Sequence, residues 1–262
     1  MGVAAARNLA RLCLRRIRTP TVSHAEYEAR WRRILDDAEW KRCGTLEDFL
    51  FNTKRDPHLA LVDSALVHTS STEYRRFRHR KVFDTLARFV PPESELVELG
   101  SGMGGNLFGL AHHQAPWKLT GLELSPAGIL CGQSIAATYG LPIRFEQIDL
   151  LDSGNLAWQR IRGRYVFTYY CLEQLPHHTE AVLANILKAG PRMVIHIEPA
   201  YELLKPWKPL DAVTWLYIRS RDYQRSLLST LRAMPVTIRE ASLLRYASSA
   251  QHFPMVVVWA PK

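Results

Sequence analysis

The chain of 262 residues is 47% hydrophobic and carries a formal net charge of +9. This length and apolar content allow one good-sized core, so a single α/β domain with an elaborated end is favoured over two domains. No apolar run reaches the roughly 18 to 20 residues that span a bilayer. The four cysteines are scattered without a C-x-x-C pair, which argues against a disulfide framework or a zinc site and favours a reduced, cytoplasmic setting.

The positive charge is concentrated in two stretches. Residues 1–25 hold five arginines and no acid, and residues 73–90 hold six basic residues against two acids. The first stretch is amphipathic up to Pro20, and three interpretations of it stay open: a solvated tail, a helix on an anionic membrane surface, and an organelle-targeting segment. The two basic patches also leave contact with nucleic acid open.

The segment before the first glycine-rich turn is polar and aromatic and predicts helices. Two helices are expected between His24 and Phe51, a third over His58–His68, and a fourth over Glu73–Val90, where two prolines follow.

The stretch from Leu96 to Ala111 joins an apolar run to a glycine-rich turn and a helical pattern, which predicts a buried strand that turns sharply into a helix. Glycines there let the backbone approach a ligand, and the free amides at the helix start attract polar groups. Gly100, Gly102 and Gly105 also satisfy the dinucleotide spacing G-x-G-x-x-G. Glu98 argues against that interpretation, because a carboxylate repels a pyrophosphate and suits a cofactor with a cationic amino-acid end.

Glu98, Gly100, Gly102 and Gly104 fit a motif in which an acidic residue is followed by x-Gly-x-Gly-x-Gly. At this point the chain resembles the class I S-adenosylmethionine-dependent methyltransferases. The resemblance begins at about Leu96 and extends to the end of the chain. It implies S-adenosylmethionine as cofactor, S-adenosylhomocysteine as product, and a seven-stranded Rossmann-like α/β sheet whose last strand pair is antiparallel.

The resemblance also implies that the preceding helices cap the cofactor pocket. We therefore expect a basic tail and helical cap over residues 1–90 and the S-adenosylmethionine-binding core over residues 91–262. Tyr74 and Arg78 on the fourth predicted helix are candidate substrate contacts. The alternative is that the apolar residues of this helix pack on the sheet while its arginines stay solvated.

The next two predicted strands each end at an acidic residue. Lys118–Leu124 ends at Glu123, where a carboxylate can accept both ribose hydroxyls of an adenosine. Ile143–Ile148 is followed by Asp149, which matches the family position that meets the adenine amino group. A helix or turn cap is the alternative role for Asp149, with Asp152 as the alternative contact.

The fourth predicted strand, Tyr165–Tyr170, leads into a loop that should border the transferred methyl group. The resemblance places Tyr170 at the cofactor and Glu173 at the substrate. His177 and His178 then precede a helical segment. The positive end of a helix dipole favours a neutral imidazole, which a general base requires, so both histidines are catalytic candidates, with surface residues as the alternative.

The fifth predicted strand, Arg192–Ile197, delivers Glu198 and Tyr201 to the same rim. Glu198 is expected to be a general base or an acceptor for a substrate hydroxyl or amine, with a structural ion pair as the alternative. Tyr201 is a candidate substrate contact. One long helix is expected over Leu210–Met234. The two closing strands are expected over Val236–Leu244 and Met255–Trp259.

The predicted reaction is direct displacement of the sulfonium methyl by a substrate oxygen or nitrogen, promoted by alignment and without a metal. The nucleic-acid amino-methylases often carry an Asp/Asn-Pro-Pro-Tyr-like sequence where this chain has Tyr170 to Glu173. The acceptor is therefore expected to be a hydroxyl or amine of a small molecule, such as a sugar or natural-product intermediate. Two alternatives remain, an RNA methyltransferase that uses the basic patches and a non-catalytic cofactor-binding scaffold. The oligomeric state stays open.

Overall fold

The computed structural model describes residues 23–52, 58–248 and 252–262. Seven strands form the main sheet: β3 (Glu95–Leu99), β4 (Lys118–Glu123), β5 (Arg144–Gln147), β6 (Tyr165–Tyr169), β7 (Met193–Pro199), β8 (Val236–Leu243) and β9 (Pro254–Pro261). Their spatial order is β5-β4-β3-β6-β7-β9-β8. Strands β3 to β7 are parallel to one another, whereas β9 is antiparallel to both β7 and β8. The predicted seven-stranded sheet with an antiparallel last pair is confirmed.

Eight α-helices surround this sheet in the part of the chain that the structure describes: α1 (His24–Asp37), α2 (Leu46–Phe51), α3 (Ser71–Ala87), α4 (Gly105–His112), α5 (Pro126–Thr138), α6 (Thr179–Ala189), α7 (Pro209–Ser220) and α8 (Leu227–Ala233). Short 3₁₀ helices lie at Glu39–Arg42, Leu156–Ile161 and Leu172–Gln174. None of the described helices is both long enough and apolar enough to cross a membrane. The amphipathic pattern predicted before Pro20 lies outside the described residues.

The central strands are buried on both faces, which explains their nearly continuous apolar runs. Successive side chains of a strand point to opposite faces. Accordingly Val97 and Leu99 belong to the hydrophobic cluster on one face of the sheet, and Leu96 belongs to the cluster on the other. Glu98 shares the face of Leu96, so a carboxylate is carried into the interior at the end of β3.

The segment His58–His68 forms a β-hairpin and not the predicted helix. Strand β1 (His58–Val62) pairs with β2 (Ala65–Thr69) in antiparallel register. The two residues between them, Asp63 and Ser64, have φ values of 45° and 74°. A two-residue turn with positive φ at both positions matches the right-handed twist of a hairpin. The short apolar runs on either side of Asp-Ser were the sequence signal for it.

The single helix predicted over Leu210–Met234 is interrupted between α7 and α8. The turn between them contains Asp222 at a φ of 50°. Helix α8 is capped by a residue that is distant in the sequence. Both carboxylate oxygens of Glu202 accept hydrogen bonds from the backbone N–H groups of Leu228 and Ser229. Such a cap supplies partners for the first amides of a helix. A cap that lies more than twenty residues earlier in the chain leaves no local signal.

The N-terminal helices pack directly on the sheet and its helices. Trp40 and Phe51 belong to the same buried cluster as Leu107. Glu28 on α1 accepts hydrogen bonds from the Ser125 hydroxyl and from the backbone N–H of Ala127 at the start of α5. The boundary predicted between a cap over residues 1–90 and a core over residues 91–262 remains a prediction.

Two glycines of α4 provide a matched test of this packing. A Cβ atom at Gly109 would lie 1.9 Å from Nδ1 of the buried His79, whereas one at Gly105 would meet nothing within 4 Å. We expect Gly109→Ala to lower the free energy of unfolding by about 1 to 3 kcal/mol. Gly105→Ala should leave it unchanged or raise it by less than about 1 kcal/mol. Urea unfolding of both variants measures the difference, and equal stabilities would contradict this packing.

Candidate functional site

A cavity of about 1290 Å³ opens at the carboxyl ends of β3, β4 and β6. This is the edge at which ligands bind in open α/β sheets. The loop after β3 forms its floor, α1 and α3 contribute to its walls, and the loop after β6 lies at one side. Six of the residues predicted to bind the cofactor line it: Glu98, Gly100, Gly102, Glu123, Asp149 and Tyr170. Arg78 is the one predicted substrate contact among its lining residues.

The glycine turn has the backbone geometry that its sequence predicts. Gly100, Gly102 and Gly104 have φ values of 68°, 55° and 89°, a region that side-chain-bearing residues rarely adopt. A Cβ atom at Gly100 would also lie 2.2 Å from Sγ of Cys171. Gly104 does not line the cavity. A Cβ atom there would lie 2.6 Å from the Phe145 ring, so Gly104 is required for packing.

Glu98 is a buried carboxyl group in the wall of the cavity, with 1% of its surface exposed. Its Oε1 accepts a hydrogen bond of 2.6 Å from Nδ2 of Asn106. Its Oε2 is buried and has no hydrogen-bond partner among the described residues. Burial raises the pKa of Glu98 to about 8, against the opposing effect of the Asn106 hydrogen bond. A cationic group beside Oε2 would stabilise the ionised form.

Glu123 ties the glycine turn to the next helix. One carboxylate oxygen accepts a hydrogen bond of 2.8 Å from the backbone N–H of Gly102, and the other accepts one of 2.9 Å from Ser125. Each carboxylate oxygen can accept a second hydrogen bond. Glu123 therefore fixes the turn and still presents acceptors to the cavity.

The two remaining predicted cofactor residues border the cavity from different loops. Oδ1 of Asp149 accepts a hydrogen bond of 2.8 Å from the backbone N–H of Leu151, so this residue forms the turn cap that was the alternative interpretation while it also lines the cavity. Tyr170 has a φ of 50°, and its hydroxyl donates to the backbone carbonyl of His252. Positive φ at a tyrosine is strained backbone, of a kind that clusters at functional sites.

Helix α1 covers the glycine turn with aromatic side chains that the sequence analysis did not single out. Tyr27 and Trp31 line the cavity, and their ring centroids lie 6.4 Å apart. A Cβ atom at Gly102 would come within 3.1 Å of the Trp31 ring. The available signal was the spacing of the two aromatic residues, since positions i and i+4 share one face of a helix.

The two candidate catalytic histidines lie outside the cavity. His177 is exposed, and its Nε2 lies 3.1 Å from Oδ2 of Asp222. His178 is exposed at the N-terminus of α6. Both positions agree with the alternative interpretation as surface residues. The loop turns away after Gln174 and Leu175, which both line the cavity.

Glu198 is fully buried and does not line the cavity. Its carboxylate accepts hydrogen bonds of 3.0 to 3.3 Å from three successive backbone N–H groups, those of Cys171, Leu172 and Glu173. Burial raises its pKa to about 7. This position argues against contact between Glu198 and a substrate, and no ion pair of Glu198 is found among the residues that the structure describes. Glu198 instead holds the loop after β6 in place.

Two other candidate substrate residues, Glu173 and Tyr201, do not line the cavity either. Glu173 is buried, and its carboxylate accepts a hydrogen bond from the Gln174 side chain and lies 3.3 Å from Nε2 of His252. Tyr201 stacks on Trp215 at 5.8 Å and lines neither this cavity nor the smaller one beside it. Tyr74 is buried but borders that smaller cavity.

The basic stretch over residues 73–90 is largely neutralised by ion pairs. Arg76 pairs with Glu47, Arg80 with Asp84, Lys81 with Asp63, and Arg88 with Glu240. Arg78 lies between the two cavities and not on the outer face. This part of the chain therefore does not present the continuous basic surface that a phosphate backbone requires.

No protein-family model matches the chain. Its structure is similar to that of a geranyl diphosphate methyltransferase in complex with geranyl diphosphate and sinefungin, at 14% identity and a TM-score of 0.54, over 90% of this chain and 99% of that one. It is also similar to the geranyl diphosphate C-methyltransferase of Streptomyces coelicolor A3(2), crystallised with Mg²⁺, geranyl diphosphate and S-adenosylhomocysteine. That match has 13% identity and a TM-score of 0.54, over 93% of this chain and 99% of the other.

A third similar structure is the [4+2]-cyclase SpnF, at 12% identity and a TM-score of 0.59, over 93% of this chain and 97% of that one. A cyclase among methyltransferases illustrates that a shared fold does not fix the reaction. At these identities the comparisons establish architecture. The chain has the Rossmann-like fold of the class I S-adenosylmethionine-dependent methyltransferases.

Proposed function

We propose that this protein is an S-adenosylmethionine-dependent methyltransferase that acts on a hydroxyl or amine of a small molecule. One observation carries the proposal: Glu98 and Glu123 lie at the ends of adjacent parallel strands and flank the turn of Gly100 and Gly102 in one cavity. The unpartnered Oε2 of Glu98 supplies an acceptor for a cation at that point. The fold supports this proposal without deciding it.

The residues present fit S-adenosylmethionine better than a dinucleotide. Glu98 would accept from the ammonium group of the amino-acid end, Glu123 from the ribose hydroxyls, and Asp149 from the adenine amino group. The backbone N–H of Gly102, which a pyrophosphate would need, already donates to Glu123. The Glu123 carboxylate at this turn would also repel a pyrophosphate.

Bound S-adenosylmethionine would supply an electrophilic methyl group for the acceptor heteroatom, with Glu98, Glu123 and Asp149 holding its amino-acid, ribose and adenine parts. The protein's own contribution is alignment and exclusion of water. The glycine turn fixes one partner, and the loop held by Glu198 fixes the wall beside it. Trp31 and Tyr27 cover the opening.

Calorimetric titration tests the cofactor assignment. We expect S-adenosylmethionine and S-adenosylhomocysteine to bind and NAD not to bind. Glu123→Gln should weaken both adenosyl ligands by at least about tenfold, because charge-assisted hydrogen bonds to the ribose are lost. Asp152→Asn is the control, since Asp152 is exposed and does not line the cavity. Binding of NAD alone would overturn the proposal.

Proton release on binding tests the role of Glu98. Its pKa of about 8 keeps the carboxyl group protonated in the free protein at neutral pH, and a neighbouring ammonium group lowers that pKa. At about pH 6.5, where an α-amino group is already protonated, binding should therefore release up to about one proton. Titration in two buffers with different ionisation enthalpies measures this. Glu98→Gln should bind without proton release, and an equal release from the variant would contradict the assignment.

Methyl transfer from labelled S-adenosylmethionine to screened small acceptors separates the enzyme from the scaffold alternative. Once an acceptor is found, His177→Ala and His178→Ala should each change kcat/KM by less than about threefold, because both side chains are exposed outside the cavity. A loss of a hundredfold or more in either variant, on the order expected for a general base, would restore the predicted catalytic role. Complete absence of transfer to every acceptor would favour the scaffold.

A further inference from the structure

A second cavity of about 470 Å³ adjoins the first one. The two cavities share Arg75, Arg78, Tyr169 and Tyr170 as lining residues. The shared wall lies beside the loop after β6, next to the glycine turn. A molecule seated in the second cavity can therefore direct one of its ends into the first.

The two cavities differ in their charged lining, because the first is lined by acidic side chains together with four arginines, whereas the second is lined by arginines and by no acid that the structure describes. The second cavity is lined by two arginines, two histidines, four tyrosines and small residues, and no acidic side chain of the described residues lines it. The first cavity is lined by five acidic side chains: Asp37, Glu39, Glu98, Glu123 and Asp149. Because a cleft lined by one sign of charge concentrates ligands of the opposite sign, the second cavity selects anions.

Arg78 is the residue that makes this selection specific. Its Nε is buried and has no hydrogen-bond partner among the described residues. Its Nη2 lies 2.9 Å from Nε2 of His79, and its guanidinium lies 5.7 Å from the centre of the Tyr169 ring. Burial lowers the pKa of His79 to about 2, so this neighbour is uncharged and accepts the hydrogen bond.

Four other basic residues on α3 or directly after it show how unusual this arrangement is. Arg76, Arg80, Lys81 and Arg88 each pair with a carboxylate, whereas Arg78 forms no ion pair with any residue that the structure describes. A partly buried cation without a counter-ion is costly. A ligand carboxylate or phosphate would remove that cost, because the planar guanidinium matches two oxygens of either group.

Aromatic rings form the rest of the second cavity. Tyr170 and Tyr217 lie 4.9 and 5.0 Å from the ring of His252, centre to centre. The Tyr170 hydroxyl also donates to the backbone carbonyl of His252, which fixes that side of the wall. Flat rings with polar edges suit a small planar or ring-shaped molecule that bears hydroxyl groups.

We infer that the second cavity is the acceptor pocket and that the acceptor is a small hydroxylated organic anion, held through its carboxylate or phosphate monoester by Arg78. This inference rests on the proposed function, which places the methyl donor in the first cavity. A volume of about 470 Å³ accommodates a small molecule and excludes a folded polynucleotide. Arg78 is thus a substrate-binding residue that sets the charge of the acceptor.

Ligand-observed NMR titration tests this inference with three probes on the protein saturated with S-adenosylhomocysteine: 4-hydroxybenzoate, phenyl phosphate and the neutral 4-hydroxybenzamide. We expect the preferred anion to bind at least about tenfold more tightly than the amide. The first two probes distinguish a carboxylate from a phosphate. Arg78→Met should abolish the preference for an anion, whereas Arg76→Met, on the exposed face of the same helix, should preserve it.

The two proposals fail in different ways. If S-adenosylhomocysteine does not bind the wild-type protein, the proposed function is wrong. If it binds wild type and Arg78→Met equally, the variant is folded and the cofactor site is intact. Equal affinity for the anions and the amide, no binding of either anion at millimolar concentration, or an unchanged preference in Arg78→Met would then overturn the acceptor assignment alone.

Discussion

The burial of the Glu98 carboxyl group beside the half-buried Glu123, at the ends of neighbouring parallel strands, is the constraint on which the site depends. Glu98 is carried inside by the two-residue period of β3, and Glu123 stands beside it on β4. Because the charge of Glu123 adds to the effect of burial in raising the pKa of Glu98, their proximity is unfavourable in a protein without ligand. The turn of Gly100 and Gly102 brings the backbone and both acidic side chains to the wall of one cavity, where they can bind a ligand together.

The sheet and the position of Glu98, Glu123 and Asp149 at one cavity were predictable because their signals are local. An apolar run, a glycine turn and a helical pattern follow each other within sixteen residues around Glu98. Acids that follow apolar runs place Glu123 and Asp149 at the same edge without any knowledge of long-range contacts. The geometry of a parallel sheet then brings these positions together.

The acceptor side was predicted less well because its determinants are distant in sequence. Glu198 lies at the end of a strand, as Glu123 does, and therefore resembles a cavity residue in sequence. Its partners are nevertheless backbone amides of the loop after β6, more than twenty residues earlier. The direction of that loop also decides that His177 is exposed. Tyr74 and Arg78 were expected to contact a substrate from a helical cap whose position the sequence does not define. In the structure both line the second cavity, and this position depends on how α3 packs beside the loop after β6.

The close approach of Trp31 to the glycine-rich segments has an evolutionary consequence. A Cβ atom at Gly128 would lie 3.2 Å from the Trp31 ring, and Gly128 has no positive φ that demands glycine. A homologue with alanine or serine at that position would therefore need a smaller or displaced ring at the position of Trp31. The two positions should co-vary, and the N-terminal helix and the sheet domain should be inherited together rather than exchanged between relatives.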